Sequence, residues 1–410
     1  MVLGALAYLA VATTAAANAD EGLDVNVGPT RIIMRGGNYP VLLKLADGSI
    51  IMDAGVLGDG KTNRWPRAAV ISRDDGHTWE NYPQALLVNH DGSLCVLPDG
   101  TALAFGYHTE PVEGRPDVFT TSRWVSHDNW KTVEDPTPLY VRMADIVPSV
   151  DDGNVAYFGP LFHGRSVAIA EETILTTMYG KFGADKQFAP PGKKEKSRSV
   201  LVKSTDRGRN WEYVSTIASL HGISDPELLR RWQEGFGEPT LAILPDGKLI
   251  CVMRTGTSVK RKQVQRYHDL SRTILRKGNY FVSSGQMTRP LYQATSTDGG
   301  ASWSQPRPMP GATGACPRLL VLDNGVLALS FGRLYRPTQR VAIMFSTDGG
   351  ETWTERTELF SDLSSGYTDM VAIGPERLLL VHDSVTAWGP KYTPDWIGAI
   401  DIEVRRSSPE

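Results

Sequence analysis

The hydrophobic pattern of this chain consists of short apolar runs that end at clusters of Gly, Asp or Asn. Examples are YPVLLKLADGSIIM at 39–52, EPTLAILPDGKLICVM at 238–253 and CPRLLVLDNGVLALSF at 316–331. Short runs joined by DG or NG predict β-hairpins, because these dipeptides favour tight turns between strands. A helical pattern is visible at 225–233, DPELLRRWQ. The pattern therefore predicts an almost entirely β structure.

A second pattern follows each hairpin as a box with Ser first, Asp third and Trp last. The copies are SRDDGHTW at 72–79, STDRGRNW at 204–211, STDGGASW at 296–303 and STDGGETW at 346–353, with a weaker copy, SHDNWKTV, at 126–133. These residues suit a turn in which Asp accepts backbone N–H groups and Trp packs against its own sheet. We interpret the boxes as structural, since a catalytic group is needed once and not in every repeat.

The repeats predict the architecture of the whole chain. Six hairpins, each followed by a further strand pair, give six sheets of about four strands, which is typical of an all-β, six-bladed β-propeller. The last blade lacks an outer strand, and the early strand at 24–34 is placed to supply it. We therefore expect residues 20–410 to form a single propeller domain.

Composition narrows the choice of partners. The net charge of -3 and the pI near 6.3 predict no general attraction to nucleic acid or anionic membranes, and no run is apolar enough for a membrane span. The apolar start, followed by Ala17-Asn18-Ala19, predicts a signal peptide over 1–19 and a secreted or periplasmic protein. Three cysteines and scattered histidines give no disulfide framework, and we expect no metal or cofactor.

Superposing the repeats on their DG turns reveals one position whose residue varies between the blades. It lies where the first strand begins, at the mouth of the central channel, and is occupied by Tyr39, Asp91, Gly164, Glu238, Cys316 and Tyr367. A cluster of Tyr, Glu and Asp around one cavity indicates a binding or catalytic site, although such residues also plug polar channels. The ends of the second strands add Arg254, Arg333 and Asp383. Paired arginines suit an acidic ligand, and structural ion pairs are the alternative.

The boxes and blades resemble the sialidase superfamily over nearly the full length of residues 20–410. The resemblance implies that Glu238 and Arg254 in GEPTLAILPDGKLICVMR, and Tyr367 in SSGYTD, are site residues. It also implies an acid/base Asp in the first blade, for which Asp59 is the candidate. Arg333 and Arg340 compete as a further arginine, and Asp383 corresponds to an acid that supports the first arginine. That first arginine is missing, because the chain has Asn38-Tyr39-Pro40 there, with Arg35 upstream.

The resemblance implies a retaining exo-glycosidase that removes a terminal, acidic sugar from a glycan. Tyr367 would attack the anomeric carbon, Glu238 would accept its proton, and Asp59 would protonate the leaving oxygen. A polysaccharide lyase with His90 or His163 as base is one alternative. An exo-arabinanase-like hydrolase using Glu238 with Asp59 or Asp91, or a glycan-binding propeller without activity, are others. Basic insertions at 183–199 and 257–290 would attract an anionic glycan or lie as solvated loops.

Overall fold

The computed structural model describes residues 22–56, 67–84, 93–147, 159–188, 196–224, 235–255, 290–332, 340–360, 364–385 and 394–407. These residues form 26 β-strands and one 3₁₀-helix, Gly183–Phe188. The predicted signal peptide, the helical pattern at 225–233 and nearly all of the insertion at 257–290 lie outside the described residues. No helix in the described ranges is long and apolar enough to cross a membrane.

The strands form four-stranded antiparallel units, which we number along the chain. Unit 1 consists of β3 (Asn38–Lys44), β4 (Ile50–Gly55), β5 (Arg67–Ser72) and β6 (Glu80–Tyr82). Unit 2 consists of β7 (Ser93–Val96), β8 (Ala102–Phe105), β10 (Arg115–Ser126) and β11 (Thr137–Arg142), with the short β9 (Glu110–Val112) paired to β10. Unit 3 consists of β12 (Leu161–Ala168), β13 (Ile174–Lys181), β14 (Ser197–Ser204) and β15 (Asn210–Ala218).

The second half of the chain repeats this order. Unit 4 consists of β16 (Gly237–Ile243), β17 (Leu249–Arg254), β18 (Pro290–Ser296) and β19 (Arg307–Thr313). Unit 5 consists of β20 (Ala315–Val321), β21 (Leu327–Gly332), β22 (Val341–Ser346) and β23 (Thr357–Phe360). Unit 6 consists of β24 (Thr368–Gly374), β25 (Arg377–Val385), β26 (Pro394–Arg406) and β1 (Leu23–Val27).

Unit 6 is completed by the start of the chain. β1 pairs with β26 from Leu23↔Arg406 to Val27↔Ile402, and β2 (Arg31–Arg35) pairs with the other half of the same strand. The prediction that the early strand supplies the missing outer strand is therefore confirmed. Units 2 and 3 are joined in another way, because β11 and β15 pair in parallel and merge the two units into one sheet.

The inner strands pack against one another in cyclic order. β3 packs against β7, β7 against β12, β12 against β16, β16 against β20, β20 against β24, and β24 returns to β3. The buried hydrophobic side chains form six large clusters, each between two consecutive units, and one of them joins unit 6 to unit 1. Successive side chains point to opposite faces of a strand, so Leu42 packs towards unit 6 while Val41 and Leu43 pack towards unit 2. The prediction of an all-β propeller is confirmed.

The boxes form tight turns after the third strand of a unit. In the box of unit 5, the N–H of Gly350 donates to Ser346 Oγ at 2.8 Å, and Asp348 accepts the backbone N–H of Thr352 at 3.0 Å. We expected the box tryptophan to pack against its own sheet alone. Trp353 instead packs on a hydrophobic cluster formed by residues of units 4 and 5. The indole therefore seals the junction with the preceding unit as well as covering its own sheet.

The cysteines are free and buried at Cys95, Cys251 and Cys316. Burial raises the pKa of Cys95 to about 12 and raises the pKa of Cys251 as well, because a thiolate is poorly solvated in an apolar core. Cys95 and Cys251 therefore serve as small buried hydrophobic residues. Cys316 is the second residue of β20, the inner strand of unit 5.

Candidate active site

The inner strands begin at one end of the units with a shared backbone irregularity. In units 1, 4 and 5 the pairing between the first two strands shifts register just after the strand begins, which is a β-bulge. The residue inside each bulge has a positive φ: 50° at Tyr39, 47° at Glu238 and 54° at Cys316. Gly164 in unit 3 has φ 77° at the corresponding position. Bulges redirect side chains and positive φ is uncommon for residues other than Gly, so this end of the units holds repeated strain.

We call this end of the units the mouth and define it by Tyr39, Gly164, Glu238, Cys316 and Tyr367. It includes five of the six positions that the superposed repeats select. The sixth, Asp91, lies outside the described residues, as do His90, Asp59 and Arg333. Among the described residues, the structure therefore brings together Tyr39, Glu238 and Tyr367 from three different units.

Two tyrosines form one wall of the mouth. The rings of Tyr39 and Tyr367 meet edge to face, with centroids 4.1 Å apart and planes at 80°. Together with Ala315 and Cys316 they form a small buried cluster in which Tyr367 is 8% exposed and Tyr39 is 1% exposed. An edge-to-face pair is a favourable aromatic geometry, and it fixes both rings. The phenol of Tyr367 is thus held in place and not left to rotate in solvent.

Glu238 and Arg254 form the charged part of the mouth. Arg254 Nη1 donates to Glu238 Oε1, and the backbone N–H of Cys316 donates to Glu238 Oε2 at 2.9 Å. The pairing follows from the strand register, because Gly237 lies opposite Arg254 and the bulge turns the next residue, Glu238, towards it. Both side chains are largely buried, at 10% and 13% exposure. The carboxylate is therefore anchored by two donors on units 4 and 5.

Asp383 binds the backbone at Tyr39 and in the segment just before Tyr367. Its Oδ2 accepts the backbone N–H of Tyr39 at 3.1 Å, and its Oδ1 accepts Ser364 Oγ and the backbone N–H of Ser365, both at 2.7 Å. Ser365 Oγ also donates to Oδ2. Complete burial raises the pKa of Asp383, and the serine hydrogen bonds act in the opposite direction. The resemblance implied support of an arginine, whereas the structure shows this carboxylate holding the backbone beside Tyr39 and Tyr367.

The residue that replaces the missing first arginine, Asn38, lies inside the protein. Asn38 is fully buried and lies opposite Gly55 in the strand pair. Arg35 is exposed at the end of the outer strand β2, where it lies opposite Trp396. Arg340, the candidate for a further arginine, forms an ion pair with Glu358 on its own unit.

His163 lies on the unit 3 side of the mouth and is fully buried. Its Nδ1 is 3.0 Å from the carbonyl oxygen of Pro239, so Nδ1 carries the hydrogen and donates it. Its ring lies edge-on to Tyr107 at 6.4 Å and to Tyr179 at 5.9 Å, and the two tyrosine hydroxyls are hydrogen-bonded to each other. The geometry places His163 in the packing around the mouth and uses one ring nitrogen structurally.

A charged group in the channel below the mouth was not identified from the sequence. Arg165 Nη2 donates to Asp369 Oδ2 and to the carbonyl oxygen of Leu42, both at 2.9 Å, and Arg318 Nε lies 3.9 Å from Asp369 Oδ1. The group joins units 3, 5, 6 and 1 across the axis. Arg318 and Asp369 each lie two residues after a mouth position, so extending the superposition by two residues would have revealed them.

The boxes and the fold connect the chain to known proteins. Residues 344–355 match the family model of the BNR/Asp-box repeat. A sequence search of curated proteins gave no match. Among solved structures, the microbial sialidase Hz136 from a Hadza source is similar over 90% of this chain and 68% of its own, with a TM-score of 0.57 and 15% identity.

This chain has the fold of the sialidases. The α-L-arabinofuranosidase Arb93A of Fusarium graminearum is similar over 92% of this chain and 97% of its own, with a TM-score of 0.55 and 16% identity. A protein of unknown function from Dyadobacter fermentans is similar over 94% of this chain and 100% of its own, with a TM-score of 0.59 and 17% identity. At these identities the sialidase-like propeller is shared, and the chemistry has to be argued from the mouth.

Within the described residues, no group of three or more His, Cys, Asp or Glu side chains is arranged to hold a metal ion. The described part of the mouth offers a buried phenol, a carboxylate paired with a guanidinium, and a supporting buried aspartate. A phenol and a carboxylate are groups that serve in nucleophilic or acid/base catalysis of glycosyl transfer.

Proposed function

We propose that the protein is a retaining exo-glycoside hydrolase whose reaction centre is the mouth. The observation that carries this proposal is the convergence of Tyr367 from unit 6 and Glu238 from unit 4 on either side of Cys316. Tyr367 and Cys316 share one buried cluster, and the N–H of Cys316 donates to Glu238. A polar pair of this kind at one channel end, on a fold shared with glycosidases, supports a glycan substrate.

In the proposed reaction, Tyr367 Oη attacks the anomeric carbon and forms a glycosyl-tyrosine while the bond to the leaving oxygen breaks. A free phenol has a pKa of about 10 and is a weak nucleophile near neutral pH, so it needs a base to accept its proton. Glu238 is the proposed acceptor. We propose Asp59 as the acid that protonates the leaving oxygen and later activates water, a role that comes from the sequence resemblance.

The first test is NMR of the purified protein with sialyl-lactose, an aryl α-L-arabinofuranoside and a uronic-acid oligosaccharide. The proposal expects release of a monosaccharide whose first-formed anomer has the configuration of the substrate, and loss of release in Tyr367→Phe. Tyr213→Phe is a matched control, because Tyr213 is 41% exposed and its hydroxyl is hydrogen-bonded to Thr216, three residues along the same strand. Inverted product or full activity of Tyr367→Phe would refute the tyrosine mechanism.

A second candidate is a retaining hydrolase of a neutral sugar in which Glu238 itself is the nucleophile. Asn38 stands where the resemblance expects a carboxylate-binding arginine, and the charge of Arg254 is compensated by Glu238. A neutral anomeric centre does not repel a carboxylate nucleophile, and the partner acid would be Asp59 or Asp91. Cleavage of the arabinofuranoside alone, retained in Tyr367→Phe and lost in Glu238→Gln, would select this candidate.

A lyase with His163 as base is less well supported, because that ring is fully buried and donates through Nδ1 to Pro239. A new unsaturated uronate signal in the same NMR experiment would favour it. No turnover of any substrate, with saturable binding of an oligosaccharide, would instead indicate a glycan-binding propeller.

A further inference from the structure

The two tyrosines of the mouth come from opposite ends of the chain. Tyr39 is the second residue of the inner strand of unit 1, and Tyr367 directly precedes the inner strand of unit 6. They meet at the junction where the last unit packs against the first. The mouth therefore depends on how accurately this junction closes.

Asp383 is the polar link across that junction. On the unit 1 side it holds the backbone N–H of Tyr39, and on the unit 6 side it holds the backbone N–H of Ser365 and the hydroxyls of Ser364 and Ser365. A carboxylate has about four acceptor positions, and these four donors match them. A fully buried carboxylate is retained only where such donors compensate for lost water, so the segments before Tyr39 and Tyr367 are fixed relative to each other.

The backbone on both sides of this link has a positive φ, which is strained at Tyr39 and is readily adopted by Gly366. Tyr39 has φ 50°, and Gly366, which precedes Tyr367, has φ 85°. The approach is also close on the unit 5 side, because a Cβ on Gly332 would lie 2.1 Å from the carbonyl oxygen of Gly366. A positive φ at a residue other than Gly, as at Tyr39, persists only where the surroundings hold it in place.

We propose that Asp383 is a positioning residue that fixes Tyr39 against Tyr367 and thereby assembles the mouth when unit 6 closes on unit 1. Its effect on the tyrosine rings follows from the contacts alone, whereas its effect on turnover rests on the proposed function. In Asp383→Asn one oxygen becomes an NH₂ group, which cannot accept an N–H. Ser365 or Tyr39 then loses its backbone acceptor in either amide orientation, while the hydroxyls can rotate to accept.

The test uses the full chain with 3-fluorotyrosine incorporated and ¹⁹F NMR. The resonances of Tyr39 and Tyr367 are assigned by their disappearance in Tyr39→Phe and Tyr367→Phe. In Asp383→Asn, both resonances should shift or broaden more than any other tyrosine resonance. Asp185→Asn is the control, because Asp185 is 2% exposed and binds Arg198 through two hydrogen bonds of 2.9 Å in unit 3, away from this junction. It should leave both resonances unchanged.

Unchanged Tyr39 and Tyr367 resonances in Asp383→Asn, or equal changes in Asp185→Asn, would overturn the proposal. If Asp383→Asn does not fold, Ser365→Ala replaces it, since that change removes one side-chain donor to Asp383. The Tyr367 resonance should then move more than that of Tyr39, and an unmoved pair would overturn the proposal.

The kinetic measurement separates this proposal from the proposed function. With an active substrate, Asp383→Asn should lower kcat by about 10- to 100-fold while KM changes little, because misplacement of reacting groups acts mainly on the chemical step. A rise in KM at unchanged kcat would contradict positioning of the tyrosines. If no substrate is turned over, the proposed function fails, and the ¹⁹F result still decides the role of Asp383.

Discussion

The two ends of the units use repetition in opposite ways. At the far end, the boxes repeat one set of contacts: the first Ser accepts the N–H of the residue four positions on, at Gly76, Trp130, Gly208, Gly300 and Gly350. At the mouth, one strained backbone recurs with a different side chain each time, at Tyr39, Glu238 and Cys316. In the boxes, the same residues make the same contacts in each unit and stabilise the fold. At the mouth, the same backbone conformation carries different side chains, which can serve in binding or catalysis.

The box of unit 2 shows how the far end tolerates variation. SHDNWKTV carries Trp130 at the position of the usual Gly and Val133 at the position of the usual Trp. Trp130 has φ 60° and is completely buried in the cluster between units 1 and 2, against which Val133 packs. The indole reaches the same kind of junction from a different position. The weak copy therefore keeps its structural role.

The largest effect is expected from the mouth. Glu238→Gln should reduce kcat/KM at least 10³-fold, or about 4 kcal/mol of transition-state stabilisation. The free energy of unfolding should also fall, by about 3–5 kcal/mol, because the largely buried guanidinium of Arg254 loses the charge that compensates it. Steady-state kinetics and urea unfolding measure the two effects.

The control for this prediction is Glu351→Gln. Glu351 pairs with Lys248 and Arg307 at the box end and is 57% exposed. Full activity is expected there. Equal losses of activity in Glu238→Gln and Glu351→Gln would contradict the prediction that activity depends on the mouth and not on the boxes.

The second-largest effect is expected on the free energy of unfolding and comes from a buried box residue. Trp130→Ala should lower the free energy of unfolding by about 3–5 kcal/mol, because a fully buried indole leaves a cavity between units 1 and 2. Urea unfolding with an unchanged m-value is the measurement. Trp303→Ala, at a partly buried box indole, should cost less. A cost below about 1 kcal/mol for Trp130→Ala would show that the junction repacks.

As the pH falls, groups beside the mouth and groups in the boxes should lose their contributions to stability in different pH ranges. Burial between Phe360 and Trp396 lowers the pKa of His382, opposite Thr368 beside the mouth, from 6.5 to about 4. As the pH falls, the imidazole of His382 is therefore protonated in the unfolded chain before it is protonated in the folded protein. The stability that this group contributes above pH 6.5 is lost as the pH falls through 4, on the order of 3 kcal/mol. Hydrogen bonds lower the pKa of Asp74 and Asp298 in the boxes to about 2, so their contribution is lost only as the pH falls from 3.8 through 2.

The measurement is Tm against pH for the wild type and for His382→Leu, whose side chain stays uncharged. The difference between the two curves isolates the imidazole from Asp383, whose raised pKa acts in the opposite sense. Parallel curves between pH 6.5 and 4 would contradict the assignment.

The smallest effect is expected from a single box. Ser346→Ala should lower the free energy of unfolding by about 1–2 kcal/mol, because the N–H of Gly350 loses a buried acceptor. Activity should be unchanged, since this turn lies at the end of unit 5 remote from the mouth. Ser302→Ala is the control and should cost less, because it removes a hydrogen bond to Asp298 in an exposed turn position and leaves no buried N–H without an acceptor. Lost activity in folded Ser346→Ala would couple the two ends.

Much of the fold could be predicted from the sequence because its signals are local. DG turns, β-branched runs and boxes each specify a hairpin within a few residues, and their repetition predicts the propeller. The superposition of repeats also selected Tyr39, Glu238 and Tyr367. It did not reveal the Arg165–Asp369–Arg318 group or the role of Asp383, because those depend on which residues meet across the axis and across the junction of the first and last units.

By itself, the sequence determined the strands, their pairing within each unit and the positions that vary at the mouth. All of these depend on side-chain period and turn chemistry between neighbouring residues. Only the tertiary structure decided that Asp383 holds Tyr39 and the segment before Tyr367, and that Tyr39 meets Tyr367 edge to face. Residues separated by more than three hundred positions become neighbours only when unit 6 packs on unit 1, and the hydrophobic clusters between all six units place that junction.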